Sequence, residues 1–282
     1  MGKVVSLANQ KGGVGKTTTA VNLAAALSLK GKKILLIDLD PQGNATSGLG
    51  FDQDSRKINI YHVLIGHAVL ADIIKPSKTP GLDIAPSNSD LYGAEVELAS
   101  DYLRSTRLKA HIETVRGRYD FVLIDCPPSL GLLTVNALAA SDSLVIPLQA
   151  EYYAMEGLSQ LLHTVELVRA GLNPRLEIEG IVITMFDGRT NLCHQVEQEI
   201  RGYFSNKVFD AHIPRNVRLS EAPSFGVPIF DYDPESKGAA SYQALADEFL
   251  ARNGAAESRA GDIKSADPDD AAGPDVVPDP LQ

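Results

Sequence analysis

The chain has 282 residues, with 26 Lys+Arg against 36 Asp+Glu, a formal net charge of −10, and 44% hydrophobic residues. This length allows one or two domains with a sizeable core, and the composition excludes collagen, coiled coil and wholesale disorder. Two cysteines, Cys126 and Cys193, form neither a disulfide framework nor a CxxC pair, which suits a reducing cytosol. No apolar run reaches the ~18 residues a membrane span needs. The first strand-like run, Val4 to Ala8, stands so near the start that no secretion signal is expected before it.

In chain order, apolar β-branched runs predict strands at 3–8, 33–38, 82–85, 119–125, 143–147 and 178–185, with a shorter one at 208–213. Helical patterns fall between them, at 16–30, 90–116, 132–140, 153–170, 191–204 and 239–252. The runs Ile34-Leu35-Leu36-Ile37 and Phe121-Val122-Leu123-Ile124 are continuous, not alternating, so both faces of these strands are expected to be buried. Strand–helix alternation of this kind predicts a doubly wound, mostly parallel α/β sheet with helices on both faces. Residues 255–282 differ in kind. They hold seven acids, two bases, four of the sixteen prolines and no aromatic residue, a local charge of −5. Such a segment cannot bury enough apolar surface to offset its ordering entropy, so one domain over 1–254 and a disordered acidic tail over 255–282 are expected. The body then carries only the other −5, which weakens the objection that net charge raises against a nucleic-acid partner.

In open parallel sheets ligands gather beyond the carboxyl ends of the strands. The first strand runs into Gln10-Lys11-Gly12-Gly13-Val14-Gly15-Lys16-Thr17-Thr18 and then a helix. Three glycines let backbone N–H groups wrap an anion, and the helix adds its positive end. Lys16 is placed to reach β- and γ-phosphates, and the Thr17 hydroxyl to ligate Mg²⁺, as in a P-loop. Where the usual G-x-x-x-x-G-K-[ST] pattern opens with glycine, this chain has Gln10 followed by Lys11. The extra cation at the mouth of the loop is expected to reach a phosphate held by a second subunit, or to draw back over its own. The second strand ends Asp38-Leu39-Asp40-Pro41-Gln42-Gly43-Asn44, and the fourth main strand ends Asp125-Cys126-Pro127-Pro128. Asp40 is a candidate for orienting the attacking water or holding the magnesium shell, and Asp125 fits the Walker B position. Cys126 reads as a small buried thiol.

With these three segments the chain resembles the deviant Walker A ATPases. Ile213-Pro214-Arg215-Asn216-Val217-Arg218-Leu219-Ser220-Glu221-Ala222-Pro223-Ser224 and Thr184-Met185-Phe186-Asp187-Gly188-Arg189-Thr190-Asn191 make it similar, within that class, to the ParA/Soj partitioning ATPases over about residues 2 to 252. The resemblance implies an ATP- and Mg²⁺-dependent ATPase working as a sandwich homodimer, in which Lys11 crosses to the partner's nucleotide. It implies that Lys16, Thr17 and Thr18 serve the phosphates and metal together with the loop Gly12, Gly13, Val14 and Gly15. Asp40 would position the water and Asp125 would support the metal. It also implies adenine near Met185 and the Pro214, Arg215 and Asn216 turn. Non-specific double-stranded DNA binding in the ATP state, release after hydrolysis stimulated by a ParB-type partner, and a cytoplasmic, nucleoid-associated place in a bacterium complete the picture, with cargo either chromosomal or plasmid.

The residues themselves support DNA binding only thinly. Between Met185 and Ser220 five bases face four acids. Arg189 and Arg218 are the chosen DNA contacts, with Arg215 shared between DNA and nucleotide. Rival readings were a MinD-like membrane-associated ATPase, an iron–sulfur reductase component, an ATP-dependent synthetase and a non-catalytic nucleotide switch. Against the first, the C-terminus is acidic where a basic amphipathic helix is needed. The formal Gly2/Ser6 myristoylation match leads straight into a strand, so no membrane partner is expected. Against the second, a cluster bridging a dimer needs two accessible cysteines per subunit near the axis, whereas Cys126 abuts the Walker B acid, Cys193 falls in a late helix and there is no third.

Overall fold

A computed structural model describes residues 1–151 and 154–265. Seven strands form one sheet: β1 Lys3–Leu7, β2 Ile34–Asp38, β3 Lys75–Pro76, β4 Leu82–Ala85, β5 Phe121–Asp125, β6 Ser143–Gln149 and β7 Glu177–Thr184. Their order is β3-β4-β2-β5-β1-β6-β7, all parallel except the two-residue edge strand β3. The expected doubly wound architecture is therefore present.

Each strand feeds two layers by simple alternation. In β2, Leu35 and Ile37 join one core while Ile34 and Leu36 join the other; in β5, Val122 and Ile124 oppose Phe121 and Leu123 in the same way. With a side-chain period of two and apolar residues at every position, only a sheet covered on both faces satisfies these segments. The helix Lys16–Leu29 lies between the sheet and the C-terminal helix Lys237–Ser265, which explains why it is apolar nearly all round. Small residues Ala20, Ala24, Ala25 and Ala26 let it approach closely, and Tyr242 fills the gap with its hydroxyl 3.2 Å from that of Thr19.

Three sequence-based expectations are corrected. Residues 90–116 are not one helix but a chain of turns and short helices, Ala94–Glu97 and Arg107–Glu113 among them. Buried Asn136 takes up the backbone between them, donating to the Arg104 carbonyl at 2.7 Å and accepting from the Leu108 amide at 3.2 Å. The segment 208–213 is not a strand. It makes one bridge to β7, Val208 to Ile181, because Glu248 draws the Asp210 and Ala211 amides away from the ladder. The final helix runs Lys237–Ser265, longer at both ends than the expected 239–252. Ala255, Ala256, Glu257 and Arg259 are good helix formers, and the first proline after Arg252 is Pro268. The rest of the expected tail, and Tyr153 at the start of the expected 153–170 helix, lie outside the described residues.

The carboxyl ends of β1, β5 and β2 are neighbours, with Leu7 opposite Asp125 and Asp125 opposite Asp38. Strand order reverses at β1, which has β5 on one side and β6 on the other. That is where an open α/β sheet holds its ligand.

Candidate functional site

The loop leaving β1 turns through Gly13 (φ 74°) and Gly15 (φ 83°), both in the left-handed region that glycine adopts at no steric cost. Thr184, the last residue of β7, donates its hydroxyl to the Val14 carbonyl at 2.8 Å and so ties the loop to the sheet. Lys16 is only 6% exposed, and its Nζ donates to the Lys11 carbonyl at 3.0 Å, closing the loop over its own helix. Burial pulls its pKa down, opposed by Asp125 first and then by Cys126 and Asp40. Val14 is buried and Thr17 and Thr18 are half-buried at the head of a fourteen-residue helix, whose free amides favour an anion.

Two acids close the floor of this cradle. Asp38 is fully buried and satisfied: its carboxylate accepts from the Thr46 amide (2.8 Å), the Thr46 hydroxyl (2.7 Å) and the Asp40 amide (3.2 Å). Burial nevertheless raises its pKa to about 6. Asp125 is equally buried, yet neither oxygen has a hydrogen-bond partner. Burial and then the Asp38 charge push its pKa well above the usual carboxylate range, with the Thr17 hydroxyl and Lys16 pulling the other way. An unsatisfied buried carboxylate with a threonine hydroxyl on one side fits a hard divalent cation that prefers oxygen ligands. Among the described residues no three His, Cys, Asp or Glu converge to hold a metal, so such an ion would draw the rest of its shell from phosphate and water, as Mg²⁺ commonly does. Asp40, 6% exposed, lies one turn further out; it accepts from the Gln42 amide at 2.9 Å, and its carbonyl accepts from the Ser87 hydroxyl at 2.9 Å. Cys126 is a buried thiol with a raised pKa, as expected.

Lys11 stands at the rim with its side chain 41% exposed, paired with Glu151 just past β6. Beside the cradle a cavity of about 490 Å³ brings together Gly15, Thr18, Met185, Pro214, Arg215 and Asn216. Met185 there has φ 51°, a conformation that costs a bulky residue about 1–3 kcal/mol and persists where the surroundings impose it. Two backbone bonds impose it: the Ile213 amide donates to the Ile183 carbonyl at 2.9 Å, and the Phe186 amide donates to the Ile213 carbonyl at 3.0 Å. A larger cavity of about 780 Å³, around Lys3, Lys32 and Arg116, opens at the opposite end of the sheet. Lys3 is already paired with Glu179 and Arg116 with Glu113 and Asp142, so the smaller cavity beside the phosphate loop is the better nucleotide site.

The arginines chosen for DNA are exposed but not free. Arg189, 89% exposed, binds Asp187 through two bonds of 2.8 and 2.7 Å, holding that carboxyl at about 2. Arg218 pairs with Glu221 at 3.0 Å and Asp233 at 3.3 Å. Arg215 lines the cavity near Asp187, on which its charge also acts. Arg201, counted in the basic stretch, is occupied by Glu197, Asp210 and the Phe209 carbonyl and belongs to the fold. Sequence reasoning missed Asp38 as the neighbour of Asp125, Glu151 as the partner of Lys11, and Thr184 as the anchor of the loop. Only Asp38 carried a local signal, as an acid closing a four-residue apolar run.

The family model described as an AAA domain matches residues 2–178. The chain is 57% identical over 251 residues to the sporulation initiation inhibitor protein Soj of Bacillus subtilis, covering 89% of this chain and 99% of Soj. It is 54% identical over 253 residues to the chromosome partitioning protein ParA of Myxococcus xanthus, covering 90% and 89% of the two chains. Among solved structures, cobyrinic acid a,c-diamide synthase from Mycobacterium smegmatis with bound ADP and magnesium superimposes with a TM-score of 0.80 at 36% identity, over 91% of this chain and 97% of that one. With a P-loop opened by Lys11, an acid at the end of β5 and relatives more than half identical over most of its length, the chain belongs to the ParA/Soj family of chromosome-partitioning ATPases.

Proposed function

We propose that this protein is an Mg²⁺-dependent ATPase that alternates between a free monomer and an ATP-bound dimer that grips DNA without sequence preference. The observation that carries the reading is a cradle with one lysine sealed inside, Lys16, and a second, Lys11, half-exposed at its rim. Lys16, with the amides of the glycine loop and of Thr17 and Thr18, holds the phosphates. The adenine lies in the cavity of Met185, Pro214, Arg215 and Asn216. Thr17 and Asp125 would hold the magnesium, with Asp40 at the edge of its shell, and the ion would neutralise the charge that gathers on the transferred phosphoryl group. Asp40, in the loop after β2, orients the attacking water, a task of positioning more than of covalent chemistry.

Lys11 leaves Glu151 and reaches the phosphates of a second copy, so two protomers close only when both carry ATP. Closure doubles the arginines offered to one duplex, and the second contact then acts at high effective concentration. Arg189 and Arg218 meet phosphates, and Arg215 lies between DNA and nucleotide. A ParB-type partner speeds hydrolysis, the dimer opens, and the protein leaves the nucleoid. DNA retention at one fixed salt, with no nucleotide, ADP or ATP, tests the reading. Retention is expected with ATP alone; equal retention in all three would overturn it.

A further inference from the structure

We propose that Arg56 is a positioning residue for hydrolysis: from behind, one guanidinium clamps the Gly43 carbonyl and the Ser47 hydroxyl, holding the Asp40 loop in the shape that hydrolysis needs. Arg56 is 9% exposed, yet no carboxylate forms an ion pair with it among the described residues, and its Nε has no hydrogen-bond partner. A guanidinium taken out of water with no ion-paired carboxylate, only the charge of exposed Asp52 acting on it from nearby, is costly to the fold, so the contacts it does make call for a reason. Both lie in one segment. Nη1 donates to the Gly43 carbonyl at 3.4 Å and to the Ser47 hydroxyl at 3.2 Å, while Ser47 donates to the same carbonyl at 3.0 Å.

Gly43 is the corner of the loop. Its φ is 63°, its amide donates to the Asp40 carbonyl at 2.9 Å, and a Cβ there would stand 2.8 Å from Arg56 Nη1 and 2.9 Å from the Ser87 carbonyl. The Asp40 turn is therefore pressed between Arg56 and Ser87. Arg56 itself rests on a fixed base, since buried Asn59 donates to its carbonyl at 2.9 Å and Lys75 donates to the carbonyl of Ser55. It does not line the cavity beside Thr17 or the one around Met185, so it reaches bound nucleotide only through the loop. Arginine suits the task because its guanidinium is planar and rigid, so Nη1 faces both acceptors in a fixed direction, whereas a lysine ammonium is a point charge on a flexible stem.

This inference rests on the reading that Asp40 orients the water, and its test keeps the two apart. In the full chain with Mg-ATP, Arg56→Met is expected to lower kcat between about ten- and a hundredfold, as a loop misplaced by ~1 Å would. KM for ATP should change by less than about threefold, because the residue makes no substrate contact. Arg56→Lys should recover part of the rate. Amide exchange should quicken in residues 40–48 and stay unchanged in 16–29. Ser47→Ala, an exposed change that spares the fold, should lower kcat less, and its effect should not add to that of Arg56→Met. An unchanged kcat in Arg56→Met, a loss confined to KM, exchange that quickens equally throughout, or strictly additive effects would each overturn the proposal. If Asp40→Ala still hydrolyses ATP at the normal rate, the underlying reading of Asp40 fails instead.

Discussion

The cradle at the ends of β1, β5 and β2 and the arginine rim beyond β7 treat charge in opposite ways. In the cradle, Lys16 and Asp125 are sealed from water, and Asp125 has only the nearby Thr17 hydroxyl and the Lys16 charge to set against its burial. At the rim, Arg189 and Arg218 are open to solvent and already matched by Asp187, Glu221 and Asp233. A buried polar group left unsatisfied raises the energy of the protein, so a ligand that satisfies it would be held firmly. Exposed paired charge is close to neutral in energy, and on the proposed function a DNA phosphate there would have to displace a carboxylate that competes for the same cation. The first arrangement suits a tight, specific site; the second would suit a weak, salt-sensitive one that needs several contacts at once.

The largest effect is expected where charge is buried. Asp125→Asn should lower ATP turnover by a factor on the order of 10²–10³, comparable to losing one preorganised electrostatic group. The same change should raise the melting temperature of the nucleotide-free protein, since a buried unpaired carboxylate costs about 1–3 kcal/mol. Phosphate release and calorimetry read the two, and a variant that is both slower and less stable would break the contrast. Next comes Lys11→Ala, at the boundary of the two regions. ATP binding to the monomer should weaken by less than about tenfold, because Lys16 and the loop amides remain, while ATP-dependent dimers disappear in light scattering. Persistent dimers would sink the crossing lysine.

The smallest effect belongs to the rim. Asp187→Asn releases Arg189 and should strengthen DNA retention at low salt, by no more than about fivefold given that exposed pairs contribute ~1 kcal/mol or less. Since Asp187 is held at about 2, its pair with Arg189 persists above that pH and is lost only as pH falls through it. Mutation, not mild acid, is therefore the way to relieve it. A fall in retention would mean that Asp187 orients Arg189 and does not mask it.

How much could be read beforehand follows the same divide. The phosphate loop, Asp40 and Asp125 were legible because each is a local signal, a glycine pattern or an acid closing an apolar run. The pairing of Asp38 with Asp125 depends on β2 lying next to β5, and that of Lys11 with Glu151 joins residues 140 positions apart. No local pattern carries such facts. The 90–116 stretch misled because its apolar spacing is helical, while Asn136, far along the chain, decides its backbone. The cavity at Met185 and Pro214 was legible only through family likeness, since its strained backbone comes from bonds between β7 and the 213–214 turn.

The two borders of the sheet have a consequence for association. One ends in β3, two residues long, made of Lys75 and Pro76; the other, β7, is screened by bridges to Val208 at one point and by the Ile213–Pro214 turn at its end. A proline lacks the N–H that an incoming strand would need, and a lysine disfavours flat stacking. Neither margin invites runaway fibre growth when many copies crowd together. On the proposed function, contact between molecules would instead fall to side chains on the nucleotide-bearing face, where bound ligand would govern it.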